Sequence, residues 1–302
     1  MVGRVKKWAE AAKVETIRVP GYWYTSVRSQ IPTGAKAQTN EKVFYHLHGG
    51  GYVFGTAHPR SGVIAPIHRL LESGTVNRLF SLEYRLSSSA PFPVANPFPA
   101  ALIDAVTGYN YLVSDLGFDP DNIILIGDSA GGHLALCLIR YLVETSVLPV
   151  PGKFIGHSPV CDITCSHLTL PDSSLKSQVD ILGRLDKGIF GWAWVSFAGP
   201  LQDDPNDGPT KNPYLSPACL SSDMEAVVSF EGFPETFLVS GGAERLRDDL
   251  RTLKQRMVRD LGAGKVTAHE APDAVHCLLL YPWPEPEKTE VLRLLSDWVD
   301  RK

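Results

Sequence analysis

The sequence lacks the features that mark several large classes of protein. None of its apolar runs approaches the ~20 residues of a membrane-spanning helix. It has no long basic run, and 29 basic against 33 acidic residues give a net charge of −4. Nucleic acid and an anionic membrane surface are therefore not expected partners. What is present is ordinary for a globular protein with a large core, with 44% apolar residues in a chain of 302.

Cysteine is scarce and odd in number, which argues against a disulfide framework and favours reduced thiols in the cytosol. The five cysteines are Cys137, Cys161, Cys165, Cys219 and Cys277. The first 15 residues lack the apolar stretch of a signal peptide, and no Asn-x-Ser/Thr acceptor occurs anywhere. We therefore expect a cytoplasmic protein without a stable membrane anchor.

Short β-rich runs alternate with longer helical patterns along the chain. This rhythm predicts one α/β domain over residues 1–302, with a mostly parallel eight-stranded sheet and helices on both faces. Residues 15–19 and 21–28 are expected to form an opening antiparallel pair. Between residues 165 and 212 the alternation of strand and helix patterns is interrupted by a long, loop-rich insertion. In a compact domain such an insertion is typical of a lid or cap.

A candidate nucleophile follows one of the predicted strands. Residues 123–126 are all apolar, a helical pattern begins at Gly131, and between them the sequence is Gly127-Asp128-Ser129-Ala130-Gly131. A Gly-Ser turn of no function is the alternative, but the strand–turn–helix context is that of a nucleophile elbow. A serine hydroxyl is a weak nucleophile and needs a base within hydrogen-bond reach. The motif therefore predicts Ser129 as a nucleophile with a partner elsewhere in the chain.

A second glycine-rich loop follows another strand, at residues 42–47, and consists of His48-Gly49-Gly50-Gly51-Tyr52. Its glycines leave the N–H groups of Gly50 and Gly51 free to point at a developing oxyanion. The N–H of Ala130, directly after the nucleophile, would be a third donor. A phosphate-binding loop would end in Gly-Lys-Ser/Thr, which is absent here.

A serine nucleophile on such an elbow works with an acid and a histidine, and in folds with this elbow the three follow one another along the chain as serine, acid, histidine. The acid and the general base are therefore expected downstream of Ser129. His276 fits the base, and His269, inside the last predicted strand, is its competitor. Glu244, after the strand that ends near Ser240, would fix the imidazole tautomer. Asp248 is the rival acid, and its alternative role is that of an N-cap for the helix beginning there.

Together these motifs resemble the hormone-sensitive-lipase family of α/β hydrolases over about residues 40–280. Further matches are Tyr84-Arg85-Leu86, Pro97-Phe98-Pro99-Ala100-Ala101 and Asp273-Ala274-Val275-His276. The resemblance implies hydrolysis of a carboxylic ester without metal or organic cofactor, and a cap built from about residues 1–20 and 165–212. The chain departs from the family in having Glu244 where aspartate is usual. The sequence of residues 87–99 resembles that of fungal members of the family, some of which serve secondary metabolism.

The expected substrate is a short- or medium-chain ester, acetyl included, of a small apolar molecule. Phe190 and Trp194, in the predicted cap, would either form an apolar wall for it or only pack the lid. With Tyr52 and Asp128 they are the predicted substrate-binding residues. A homodimer paired near residues 266–270 is a further expectation. Two alternatives stay open, namely transacylation, lactonisation or cyclisation by the same triad, and a non-catalytic ligand receptor.

Overall fold

A computed structural model describes residues 1–61, 69–72, 74 and 76–301. Within them a seven-stranded sheet has the strand order β1-β3-β2-β4-β5-β6-β7. Its strands are Gly21–Thr25 (β1), Val43–Leu47 (β2), Arg78–Leu82 (β3), Ile123–Asp128 (β4), Lys153–His157 (β5), Glu235–Gly241 (β6) and Val266–Ala271 (β7). Only β1 is antiparallel to its neighbour. The mostly parallel sheet predicted from the alternating pattern is confirmed.

The described sheet has seven strands and not eight, because residues 15–19 form no strand. β1 begins after Pro20, which has no N–H to donate to a ladder, and whose carbonyl accepts a hydrogen bond from the Glu83 N–H at 3.0 Å. The carbonyl of Glu15 is bonded instead to the Arg85 side chain, Nη1 to O 2.9 Å. The extended segment before Pro20 is thus held by a side chain and not by a neighbouring strand.

Helices cover both faces of the sheet. Those with fully described bounds are Gly3–Ala11 (α1), Ala100–Asn110 (α2), Ala130–Thr145 (α3), Gly188–Ala198 (α4), Ser222–Val227 (α5), Arg247–Leu261 (α6) and Glu287–Asp300 (α7). Among the described helices, none is both long enough and apolar enough to cross a membrane.

Two cores lie on opposite faces of the sheet, because successive strand residues point to alternate sides. Tyr45 of β2 and Leu125 of β4 belong to the core that includes α2 and α3, whereas Phe44 and Ile126 belong to the core beneath α7. α7 contributes a stripe at helical spacing, formed by Val291, Leu295 and Trp298. The central strands are buried on both faces, so their ends form a rigid platform.

The N-terminal helix lies against the insertion at residues 165–212, which contains α4. Trp8 of α1 donates from Nε1 to Asp207 Oδ2 at 3.1 Å, and its ring packs edge-on against Tyr214 at 5.3 Å between centroids. Arg4 adds an ion pair with the same aspartate at 2.7 Å. The two segments therefore touch, as a joint cap would require.

Candidate active site

The predicted site residues follow the parallel strands in the order in which those strands lie side by side. The glycine loop follows β2, Ser129 follows β4, Glu244 follows β6 and His276 follows β7. β2 pairs with β4, and β5 joins β4 to β6. Because the carboxyl ends of parallel strands meet at one edge, residues far apart in sequence lie in one row there.

Ser129 lies in a strained backbone conformation, with φ +51° and ψ −119°. The turn is possible because its flanking positions are glycines. A Cβ on Gly131 would collide with the Leu47 carbonyl oxygen, and one on Gly127 would collide with the carbonyl of Gly131. The Ser129 N–H donates to the carbonyl of His157 in β5 at 3.0 Å. The strain is thus held by the surrounding strands and raises the hydroxyl above the sheet edge.

Three backbone donors lie unpaired beside this hydroxyl. Gly50 and Gly51 have φ values of +119° and +59°, which favour glycine. Ala130 begins α3, where the first N–H groups have no carbonyl partner within the helix. None of these three N–H groups donates to another residue in the part of the chain that is described. Each is free to bind an oxygen of a ligand.

Asp128 fixes the glycine loop to β4. Its Oδ2 accepts from the Gly49 N–H at 3.0 Å, and its Oδ1 lies 3.2 Å from His46 Nε2. Burial by itself raises the pKa of Asp128, but the hydrogen bond with His46 and the neighbouring imidazoles of His46, His157 and His48 together hold the pKa below its ordinary value. Asp128, which was predicted to bind substrate, lines the cavity beside Ser129, and both of its carboxylate oxygens are engaged within the protein.

The acid and the histidine are brought together at the other end of the row. Glu244 Oε2 lies 3.5 Å from His276 Nδ1, and both residues are buried. The same oxygen accepts a 2.6 Å hydrogen bond from Ser158 Oγ. His276 Nε2 lies 3.3 Å from Cys277 Sγ, and Ser129 Oγ is hydrogen-bonded to no described residue. Burial raises the pKa of the Cys277 thiol well above its ordinary value, so the sulfur keeps its proton.

The rival residues have other contacts. Asp248 Oδ2 accepts from the Ser174 N–H at 2.7 Å, and its Oδ1 lies 3.3 Å from Arg247 Nε. Its alternative role as an N-cap is wrong, because α6 begins at Arg247 with Leu246 as the N-cap residue. His269 lies inside β7, two residues before the strand ends, and is not among the residues that line the cavity.

A cavity of about 160 Å³ opens beside Ser129 and His276. Its walls are mostly apolar, and the large side chains among them are Phe54, Ile181, Leu182, Phe190, Leu280 and Tyr281. The Gly50 and Gly51 backbone also lines it. Ser129, His276 and two free N–H donors therefore face one small apolar space.

Of the aromatic residues predicted to contact substrate, only Phe190 lines this cavity. Tyr52 is fully buried, its hydroxyl hydrogen-bonded to His133 Nδ1 at 2.7 Å and its ring stacked on Phe197 at 3.8 Å. Trp194 is also buried and donates to the Leu185 carbonyl at 3.1 Å. Both rings serve packing, the role that large aromatic side chains most often have.

Two residues at the site escaped the sequence analysis. Ser158 follows β5 and bonds to Glu244, and Asp180, from the insertion, accepts the N–H of His276 at 3.0 Å and that of Arg245 at 2.8 Å. Ser158 carried one usable signal, since it follows a predicted strand. Asp180 lies in a segment without periodicity and carried none.

Comparison with known proteins agrees with this geometry. A family described by its alpha/beta hydrolase fold matches residues 44–280. An acetyl-hydrolase of Streptomyces hygroscopicus is 28% identical over 267 residues, 86% of this chain and 75% of its own length. A versiconal hemiacetal acetate esterase of Aspergillus parasiticus is 24% identical over 279 residues, 91% of this chain and 77% of its own.

The solved structures include close matches in fold. A hormone-sensitive lipase from a metagenome library has a TM-score of 0.70 at 27% identity, covering 93% of this chain and 80% of that one. The fold and the family predicted from the motifs are thus confirmed. The chain belongs to the α/β-hydrolase family and is a carboxylic ester hydrolase of the hormone-sensitive-lipase type.

Proposed function

We propose that Ser129, His276 and Glu244 form the catalytic triad of this esterase, and that the N–H groups of Gly50, Gly51 and Ala130 form its oxyanion hole. The observation that carries the proposal is the cavity in which Ser129, His276 and the glycine loop meet. Glu244 supports it from behind, with Oε2 3.5 Å from His276 Nδ1.

The reaction runs in two acyl-transfer steps. His276 Nε2 takes the hydroxyl proton of Ser129 as Oγ attacks the ester carbonyl carbon. The three N–H groups stabilise the negative oxygen, and removing one such donor typically costs ~3 kcal/mol of barrier stabilisation. The alcohol leaves with the proton from His276, and water then attacks the acyl-enzyme to release the acid and restore Ser129.

The first step requires a small movement of the base. Glu244 favours the tautomer with its proton on Nδ1, which leaves the Nε2 lone pair as the base. In the ligand-free chain that lone pair faces the Cys277 thiol at 3.3 Å. Apo hydrogen bonds of catalytic groups are often loose and tighten with substrate. We therefore assign the shift of Nε2 from Cys277 to Ser129 to substrate binding.

Replacing Ser129 with alanine tests the assignment. Hydrolysis of p-nitrophenyl acetate should fall by at least ~10³-fold, because no second nucleophile replaces the hydroxyl. Ser146→Ala is the matched control, since Ser146 also has a positive φ, of +52°, but caps the far end of α3. Retention of most activity by a folded Ser129→Ala protein would refute the triad.

For the substrate we propose a short, uncharged acyl group, with acetyl as the first candidate. The cavity volume is about 160 Å³, below the roughly 300–1,000 Å³ of a typical pocket for a drug-sized ligand. Its walls hold no free charged side chain among the described residues, since both oxygens of Asp128 are engaged. The names of the acetyl-hydrolase and the acetate esterase support the same choice.

A series of p-nitrophenyl esters from acetyl to decanoyl tests this substrate class. The value of kcat/KM should fall beyond butyryl, and Phe190→Ala should move the optimum to longer chains by removing a wall of the cavity. Ile189→Ala is the control, because Ile189 is 58% exposed and is not among the cavity residues. A preference for decanoyl esters in the unmodified enzyme would exclude a short-acyl site.

The compartment and the assembly are also proposals. All five cysteines are free and buried, which supports a reducing compartment such as the cytoplasm. β7 lies at the edge of the sheet, where its unpaired backbone groups suit pairing with a second copy. Light scattering should then give the mass of a dimer, and the mass of one chain would contradict this.

A further inference from the structure

Ser158 is a buried polar residue to which the reaction as described assigns no role. It directly follows β5, is 0% exposed, and has a left-handed backbone with φ +47°. Its own N–H donates to the Val239 carbonyl of β6 at 2.7 Å. The residue is therefore fixed between two central strands, at the point in the row between Ser129 and Glu244.

The Ser158 hydroxyl links the acid to the segment that carries the base. It donates to Glu244 Oε2 at 2.6 Å and accepts from the Cys277 N–H at 3.1 Å. Oε2 is also the oxygen that faces His276 Nδ1 at 3.5 Å. The other oxygen, Oε1, is buried and has no hydrogen-bond partner among the described residues. The hydrogen bond that the Ser158 hydroxyl donates therefore orients the Glu244 carboxylate.

We propose that Ser158 is a positioning residue, which acts through Glu244 to orient His276 for proton transfer. The proposal rests on the triad proposed above. A glutamate has one more rotatable bond than the aspartate usual in this family, so its carboxylate needs an additional restraint. A hydrogen bond from a hydroxyl to a buried carboxylate is short and among the stronger kinds. The hydrogen bond that Ser158 Oγ accepts from the Cys277 N–H fixes the residue directly after His276. One hydroxyl therefore positions both Glu244 and the backbone that carries His276.

Ser158→Ala should lower kcat on p-nitrophenyl acetate by about 10- to 100-fold, the usual effect of losing a hydrogen bond to a charged group. KM should stay unchanged, because Ser158 does not line the cavity. Ser158→Cys preserves the size of the side chain and a weak donor, and should give an intermediate kcat. It also supplies a folded protein for the test if the alanine variant does not fold.

A double-mutant cycle with Glu244→Gln separates positioning from general support of the fold. If Ser158 acts through Glu244, adding Ser158→Ala to Glu244→Gln should lower kcat by less than about threefold. An undiminished loss in that background would overturn the proposal, and so would a rise in KM alone. Ser129→Ala, measured in parallel, distinguishes the failures. An active Ser129→Ala refutes the triad itself, whereas an inactive one beside an unimpaired Ser158→Ala refutes only the role of Ser158.

Discussion

The two halves of the active site are built in different ways. On the nucleophile side, backbone N–H groups are held at hydrogen-bond distance, the Ser129 N–H 3.0 Å from the His157 carbonyl and the Gly49 N–H 3.0 Å from the Asp128 side-chain Oδ2. On the acid side, Ser158 Oγ holds Glu244 at 2.6 Å, but the contacts of the His276 imidazole are longer. Glu244 lies 3.5 Å from His276, whose Nε2 lies 3.3 Å from the Cys277 sulfur.

This difference follows from the task of each half. An oxyanion hole is effective because its donors are already in place and need no reorganisation when charge develops. A general base instead exchanges its partner during the reaction, so it needs room to turn. If Ser129, Glu244 and His276 act as proposed, we expect the nucleophile half to be fixed before substrate arrives and the His276 imidazole to complete its geometry with substrate. The following predictions test this contrast.

The largest effect is expected at the acid. Glu244→Gln should lower kcat by about 10³- to 10⁴-fold, because an amide no longer favours the productive imidazole tautomer. Asp248→Asn is the control and should change kcat only a few-fold, since Asp248 bonds to Ser174 and Arg247. Steady-state kinetics on p-nitrophenyl acetate measures both. A larger loss in Asp248→Asn would transfer the role of the acid to that residue.

On the nucleophile side, Gly131→Ala should damage folding as well as rate. The new methyl group would collide with the carbonyl oxygens of Leu47 and His48, which belong to rigid backbone. We expect a loss of about 3 kcal/mol in the free energy of unfolding, at the upper end for overpacked sites. Gly183→Ala is the control, because nothing lies within 4 Å of its added Cβ. Equal stability of the two variants in urea denaturation would show that the elbow is not rigid.

The pH dependence of stability should come from the acid side, where the insertion meets α6. His167 Nδ1 lies 2.9 Å from Asp249 Oδ1 and 3.6 Å from Asp162 Oδ2, all buried. Burial alone would lower the pKa of His167, but the adjacent carboxylates of Asp162 and Asp249 raise it from 6.5 to about 9. Burial raises the pKa of Asp249 from 3.8 to about 7. The folded chain therefore binds protons more tightly at both groups.

Both shifts make stability fall as pH rises. The contribution of His167 is complete below pH 6.5 and is lost as pH rises through about 9, while that of Asp249 is lost between pH 3.8 and about 7. The free energy of unfolding should fall by on the order of 1 kcal/mol across the His167 window. His167→Gln should flatten that slope, as measured by urea denaturation at several pH values. An unchanged slope in the variant would assign the effect to other groups.

The smallest effect is expected at Cys277. Cys277→Ala removes the thiol that faces Nε2 of His276, so Nε2 should be free more often to accept the hydroxyl proton of Ser129. Labelling of Ser129 by a fluorophosphonate should speed up about two- to fivefold, as expected for loss of one weak hydrogen bond. Cys277→Ser retains a donor and should label no faster than the unmodified enzyme. Slower labelling of the alanine variant would mean that the thiol supports the base.

The parts of this site that the sequence predicts well are those formed by short local motifs. The elbow around Ser129 and the glycine loop at Gly50 each need small residues at fixed spacing after a strand, and the structure has both where the pattern indicates. Chain order allowed both Glu244 and Asp248, and the N-cap role expected of Asp248 was wrong, yet the structure brings Glu244 beside His276 as predicted.

What the sequence could not predict depends on tertiary packing. The periodicity of residues 15–19 suits a strand, yet the Arg85 side chain donates a hydrogen bond to the Glu15 carbonyl, which a neighbouring β-strand would need as an acceptor. Tyr52 ends a catalytic motif, but its ring packs on Phe197, contributed by a helix far along the chain. Ser158 meets Glu244 only because β5 and β6 are neighbours in the sheet. No local pattern encodes such adjacency.

The central position of β5 has a consequence for engineering. β5 ends in His157 and is followed by Ser158. Neither residue lines the cavity, yet His157 holds the Ser129 backbone and Ser158 holds the Glu244 carboxylate. A directed-evolution library confined to β5 and the turn after it would therefore move one half of the active site relative to the other. Reaction rate could be selected there while acyl-chain preference stays constant, because every residue that lines the cavity would be left unchanged.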